Sequence, residues 1–295
     1  IPLIPESEIK QKTLASIAYA VFEYSPDEAI KIIDNLSYFF RNAAWWNIAY
    51  RVLTKTNIGD IVDDETPNIS LDLARANRTL QALHHIDNDE KLYSVISLFT
   101  HLISLNIAEL NENQKLDLLT KIEKIIDAKL PDPQNIDHPG YKLLALAALE
   151  RTKRAVAKRT KHLIKSQHNQ IIEGIKQIDN IADRVYVNGL IAADFKEFEN
   201  RLALKLAEEA FESVSQIPNI QDRINRLEVI TKTYSKLHNT SKVSESIKLG
   251  VNFARTLAGA QKDARLASII QMAYQLDKNL ASEITEKIED FSTGY

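Results

Sequence analysis

Apolar residues recur at intervals of three and four along most of the chain, which is the spacing of one face of an α-helix. Near the start, Leu14, Ile17 and Val21 fall on one such stripe. Short polar segments separate the apolar stretches. The pattern predicts an all-α protein of about a dozen helices joined mostly by short links.

Polar residues with known capping chemistry mark the predicted helix boundaries. Ser25 is followed by Pro26 and, three residues on, by Glu28, which predicts a capping box at a tight turn between antiparallel helices. Asn111 and Gln114 have the same spacing. Further breaks are predicted at Asp87-Asn88, 131–140, Asp179-Asn180, Pro218-Asn219, Asn239-Thr240 and Gly259.

Several of the predicted helix pairs repeat. Arg184, Arg223 and Arg265 each follow a short polar link at the start of an apolar helix, 39 and 42 residues apart. Arg41 has an equivalent place, and Lys91 replaces the arginine in a weaker copy. A period near 40 residues with two helices in each unit is typical of an α-solenoid.

One of these units resembles the tetratricopeptide-like and HEAT-like superhelical repeat families. The resemblance is carried by Ala207, Phe211, Val214 and Pro218, which follow the alanine–aromatic–small–proline ending of a second tetratricopeptide helix. Valine stands for the small residue, and the spacing to the proline differs. The resemblance implies a protein-binding scaffold with no catalytic residues.

We therefore expect a right-handed superhelical solenoid of antiparallel helix pairs, formed as a single array over 1–295. A seam is expected near 129–140, because the charge balance changes sign soon after it. Residues 1–150 contain 14 Lys+Arg and 22 Asp+Glu, a net charge of −8, and the remainder carries +5. This asymmetry suggests charge-matched packing or a charged partner.

Composition excludes several classes of function. With 7 glycines, 8 prolines and no cysteine, the chain has no phosphate-binding glycine loop, no disulfide and no thiolate chemistry. No apolar run approaches the length of a membrane span. We expect no cofactor. The chain begins without methionine, which fits both an excised segment and a processed protein; a cytoplasmic location is favoured, and a secreted mature form stays open.

Two groups of residues have side chains that can bind metal ions. Asp60, Asp63, Asp64 and Glu65 lie close together, but their spacing is not that of an EF-hand, and a solvated loop is the favoured interpretation. Adjacent residues such as His84-His85 point about 100° apart on a helix, so they cannot chelate one ion from one face. We predict neither a metal site nor catalysis.

The segment from 151 to 165 contains seven cations and no acid. Five of the cations step by three or four residues and so share one helical face: Arg151, Arg154, Lys158, Lys161 and Lys165. Like charges at this spacing repel each other, so the face needs compensation. The compensation could come from within the fold or solvent, from an acidic protein partner, or from nucleic acid or anionic lipid.

Both tryptophans belong to the aromatic stretch "FFRNAAWWNIAYRVL", which begins at Phe39. Adjacent helical positions point in different directions, so Trp45 and Trp46 cannot form one platform, and we expect both in the core. The remaining stripe, Phe40, Asn47 and Arg51, is the predicted binding surface.

Together these features favour a non-catalytic scaffold or sensor domain whose concave face binds a peptide or a partner protein. The basic segment would suit an acidic partner. The alternative is a nucleic-acid-binding repeat protein that uses the basic segment.

Overall fold

We describe the chain from a computed structural model, over residues 8–22, 24–54, 71–105, 110–132, 140–160, 168–276, 281, 282 and 285. Over these ranges the protein is all-α, with thirteen helices and no strand. The helices are α1 (Glu8–Phe22), α2 (Pro26–Asp34), α3 (Tyr38–Thr54), α4 (Leu73–Leu83), α5 (Asp89–Ser104), α6 (Glu112–Lys129), α7 (Tyr141–Thr160), α8 (His168–Lys176), α9 (Ile181–Phe195), α10 (Asn200–Val214), α11 (Ile220–Lys236), α12 (Thr240–Arg255) and α13 (Gly259–Leu276).

The chain divides into two compact units. The first consists of residues 1–131 and 148–167, and the second of 132–147 and 168–295. Helix α7 therefore contributes its first seven residues to the second unit and the rest to the first. The boundary at 131/132 lies within the stretch where a seam is predicted, at 129–140.

Asparagine side chains begin many of the helices. Asn111 accepts a bond from the Gln114 backbone N–H at 3.0 Å, and the Gln114 side chain accepts one from the Asn111 N–H at 2.9 Å, so this predicted capping box is confirmed. The box predicted at Ser25 is wrong, since the Ser25 side chain makes no capping bond. Pro26 does occupy the start of α2. The break predicted at Gly259 lies between the end of α12 at Arg255 and Gly259, which is the first residue of α13.

In the first unit, Trp45 is at the centre of the core and is 1% exposed. Phe22 of α1 meets its ring edge-on at 5.9 Å between centroids, and His85 stacks on it at 4.3 Å. The end of α3 is closed by Arg75 of α4, a buried residue whose guanidinium donates to the carbonyl oxygens of Val52 and Leu53. These contacts fix α3 between α1 and α4.

In the second unit, α9 packs against both α10 and α11, and α11 packs against α12. Helices α9 and α11 approach closely at Gly189, where an added Cβ would lie 3.2 Å from Val229 Cγ1. The Thr233 hydroxyl donates to the Gly189 carbonyl at 2.8 Å across the same contact. A glycine without a Cβ is what permits this approach.

Two helix starts in the second unit have the same hydrogen bonds, 39 residues apart. The Asn180 side chain accepts from the Ala182 and Asp183 N–H groups, and Asn219 accepts from Gln221 and Asp222 in the same way. In both cases the arginine four residues after the asparagine donates to a carbonyl six residues before itself: Arg184 to Ile178 and Arg223 to Ile217. The sequence repeat is therefore also a repeat of local structure.

Candidate functional site

Helix α3 has one side that its neighbours leave partly uncovered. We call it the α3 face. Its side chains are all half-buried except that of Phe39, which is 68% exposed. The α3 face consists of Phe39, Phe40, Ala43, Trp46, Asn47, Tyr50 and Arg51.

A lysine from α5 covers one edge of the α3 face. The ammonium of Lys91 lies 5.4 Å from the ring centroid of Phe39 and 5.7 Å from that of Trp46. The indole N–H of Trp46 donates to the Ser94 hydroxyl at 3.1 Å, which fixes the indole against α5. Cation–π attraction of this kind holds an ammonium without neutralising its charge.

An arginine covers the other edge. The Arg51 guanidinium carbon lies 4.3 Å from the ring centroid of Tyr19 on α1. Its buried Nε has no hydrogen-bond partner, and neither Arg51 nor Lys91 is in an ion pair with any described carboxylate. Between the two edges, the Asn47 side-chain amide makes no hydrogen bond within the described residues. The α3 face thus combines aromatic rings, two unneutralised cations and one available amide.

The two tryptophans differ in their surroundings. Trp45 is in the core, as expected. Trp46 is only half-buried, so the expectation that both are core residues is wrong for Trp46. Trp46 shares a partly uncovered stripe with Phe39, which is 68% exposed. The sequence pattern did not assign this stripe or Lys91 to the binding surface. The only sequence feature that distinguishes Lys91 is that it replaces the arginine of the repeat.

The predicted stripe of Phe40, Asn47 and Arg51 lies on the same α3 face, next to the Trp46 stripe. The structure therefore brings these three residues together with Phe39 and Trp46. The ring of Phe40 meets that of Phe39 edge-on, with centroids 5.3 Å apart.

The basic segment on α7 is partly balanced inside the first unit. Arg154 pairs with Glu150 at 2.8 Å, and the Glu150 side chain is fully buried. Lys153 pairs with Glu123 of α6 at 2.6 Å. These two cations serve the packing of α7, and both acids come from the acidic first half of the sequence.

The other predicted binding residues of the basic segment are Arg151, Lys158, Lys161 and Lys165. Arg151 is half-buried. Burial of His101 on α5 lowers the pKa of His101, and the positive charge of Arg151 lowers it further. The side chain of Lys158 lies outside the described residues, and so do Lys161 and Lys165 entirely.

The sequence predicts no metal site at the acidic cluster at 60–65 or at the pair His84-His85. The acidic cluster at 60–65 lies outside the described residues. Within the described ranges, no three His, Asp or Glu side chains are grouped as metal ligands. Burial lowers the pKa of His85, which stacks on Trp45.

A cleft of about 250 Å³ opens between α7 and α8 in the second unit. Asp132 and Glu173 both line it, but each is in an ion pair, with Lys142 at 2.9 Å and with Lys176 at 2.7 Å. Gly174 lies at its floor against Leu143. Each of these two carboxylates is thus engaged by a lysine within the second unit.

Across the helices that the structure describes, none is both long and apolar enough to cross a bilayer. Comparisons with protein-family models, with curated proteins and with solved structures find no match to this chain. The functional proposal accordingly rests on the chain's own geometry.

Proposed function

We propose that the chain is a non-catalytic scaffold or sensor domain of the right-handed α-solenoid type, and that it binds a peptide or a partner protein. The observation that carries the proposal is the spacing of hydrogen bonds between helices. Five of these bonds join a helix, or a residue that flanks it, to the helix or flanking residue two places further along, with residue separations between 40 and 45. The bonds are Asn42 to Asp87, His84 to Lys129, Gly189 to Thr233, Gln221 to Arg265 and Glu228 to Ser268.

Stacked helix pairs of one size produce this spacing, because equivalent positions in successive units then face each other. The matching helix starts at Asn180 and Asn219 support the same arrangement. So does the resemblance of the segment from Ala207 to Pro218 to a tetratricopeptide helix ending. Repeat architectures of this kind expose extended surfaces suited to peptides and partner helices.

The alternative is nucleic-acid binding along the segment from 151 to 165. Its seven cations favour it. Against it, Lys153 and Arg154 are engaged in ion pairs within the first unit, which leaves fewer charges for a phosphate backbone. Binding through the remainder would weaken steeply between about 50 and 200 mM salt.

The test is a selection of random phage-displayed peptides on the folded chain, followed by calorimetry of the selected peptides and of a short oligonucleotide at low and high salt. We expect peptides whose affinity survives the rise in salt. A chain that selects no peptide, yet binds the oligonucleotide in a salt-dependent way, would contradict the scaffold proposal and support the alternative.

A further inference from the structure

We propose that the α3 face binds an extended acidic peptide, with one carboxylate on Lys91, a second on Arg51, and an apolar side chain against Phe39. This inference rests on the proposed scaffold function and names the chemistry of its ligand. It concerns only the first unit.

Charge complementarity identifies the ligand as acidic. Lys91 and Arg51 lie over aromatic rings, and no described carboxylate neutralises either one. Helix α3 itself contains no aspartate or glutamate. The nearest acids in sequence to Lys91 are Asp89 and Glu90, in the first turn of α5, where they complement the helix dipole. A ligand carboxylate would add a charge-assisted bond at each cation while the ring contacts keep the cation in place.

The neutral groups of the α3 face suit a peptide. Phe39 is the most exposed aromatic ring on it, and Tyr38 beside it is also exposed, so an apolar ligand side chain would bury area at that end. Asn47 lies between the two cations along the helix and offers one donor group and one acceptor, which match the N–H and C=O of a peptide backbone.

The arrangement disfavours a nucleobase. Single-strand binding requires open ring faces on which bases stack. Here the Lys91 ammonium lies over both Phe39 and Trp46, and Phe40 meets Phe39 edge-on rather than extending a flat platform. A base stacking on these rings would have to compete with the ammonium of Lys91.

Helix geometry sets the spacing of the two ligand carboxylates. Lys91 lies between the levels of Phe39 and Trp46, about eight residues before Arg51, so the axial part of the distance between the two cations is roughly 13 Å at a rise of 1.5 Å per residue. An extended peptide covers that distance in about four residues. The ligand therefore needs its two acids about four positions apart.

The experiment uses fluorescein-labelled peptides that contain two aspartates separated by two, four or seven positions in a serine background, with a leucine at each end. Fluorescence anisotropy measures their binding to the full chain. We expect the four-position peptide to bind about fivefold tighter than the others, the factor that one exposed ion pair provides at most.

Variants then locate the contacts. K91Q and R51Q should each weaken the four-position peptide about fivefold and remove the preference for its spacing, whereas K91R should keep both. The matched control is K121Q, because Lys121 is an exposed lysine on α6 of the same unit, paired with Asp117. Circular dichroism checks that each variant is folded. Binding should also change the emission of Trp46, and W46F should lose that change.

The outcomes separate this inference from the scaffold proposal. If phage-selected peptides bind but K91Q and R51Q leave them unaffected, the inference is wrong and the scaffold function stands. Equal affinity for all three spacings also overturns it. If a short single-stranded oligonucleotide binds more tightly than the peptides and K91Q abolishes that binding, the α3 face is a nucleic-acid site. If no peptide of either kind binds, both proposals fail.

Discussion

His85 lies flat against Trp45, in a place where a charge is poorly solvated. Burial lowers its pKa, and the positive charge of Lys129 acts in the same direction. Asp34 and Asp87 oppose these effects, and the nearby His84 adds a small further lowering. The native protein therefore favours the neutral imidazole of His85.

This preference predicts a dependence of stability on pH. The unfolded chain binds a proton at His85 near pH 6.5, whereas the native chain binds it only at lower pH. The free energy of unfolding should therefore fall as the pH drops through about 6.5 and level off below the native pKa. His101, whose pKa burial also lowers, should contribute in the same sense.

Urea unfolding of H85Q between pH 8 and 5.5 tests the assignment. The variant should show a smaller fall in unfolding free energy than the wild type, because glutamine does not titrate. H84Q, at the exposed neighbouring position, should keep the full fall. Equal falls in H85Q and in the wild type would show that His85 is not the titrating group.

At the residue scale, the capping box predicted from sequence forms at Asn111 but not at Ser25. Asn111 and Gln114 form the predicted box, since an asparagine oxygen reaches the N–H groups readily. Ser25, whose backbone is at φ −145° and ψ 85°, does not cap although its spacing is correct. Sequence spacing does not report backbone angles.

At the element scale, the repeated helix starts should contribute equally to stability. Each of N180A and N219A removes a side chain that accepts two backbone N–H bonds, at a cost of about 1 kcal/mol. Chemical denaturation should give losses that agree within about 0.5 kcal/mol. The control variants N180D and N219D keep a capping oxygen and should lose little. A large loss at one site and none at the other would contradict the structural repeat.

A second prediction for a single element concerns the ion pair between Arg154 and Glu150 within α7. R154Q leaves the fully buried Glu150 without its guanidinium partner and should lower the free energy of unfolding by about 2 kcal/mol. The double variant E150Q/R154Q removes both charges and should recover at least half of that loss. A neutral effect of R154Q would contradict a stabilising role for this ion pair.

Helix periodicity predicts which residues of α3 share a stripe but not which stripe is covered. The stripe of Trp45 and the stripe of Trp46 both read as apolar, and only the first is fully buried. The difference depends on the lengths and positions of α1 and α5, which are tertiary information. For this reason the predicted binding stripe of Phe40, Asn47 and Arg51 includes only part of the α3 face.

At the scale of the whole molecule, the all-α class follows from the unbroken helical periodicity and is confirmed. The compensation of the basic segment could be expected from the acidic first half, and the i,i+4 spacing of Glu150 and Arg154 on one helix is readable from sequence. Glu123, the partner of Lys153, could not be selected from sequence. Many acids precede the segment, and only the packing of α6 against α7 decides which of them is adjacent.

The central claim is that the first unit receives a peptide on the α3 face. The most direct measurement is photo-crosslinking of the four-position acidic peptide, in which a benzophenone replaces the side chain of one of its two leucines. Mass spectrometry of the full chain then locates the crosslinks. We predict crosslinks within Tyr38–Thr54 and Asp89–Ser104 whose yield, at a peptide concentration below the wild-type Kd, falls about fivefold in K91Q and is unchanged in K121Q. Crosslinks confined to helices α9 to α13, or to α7, would contradict the claim.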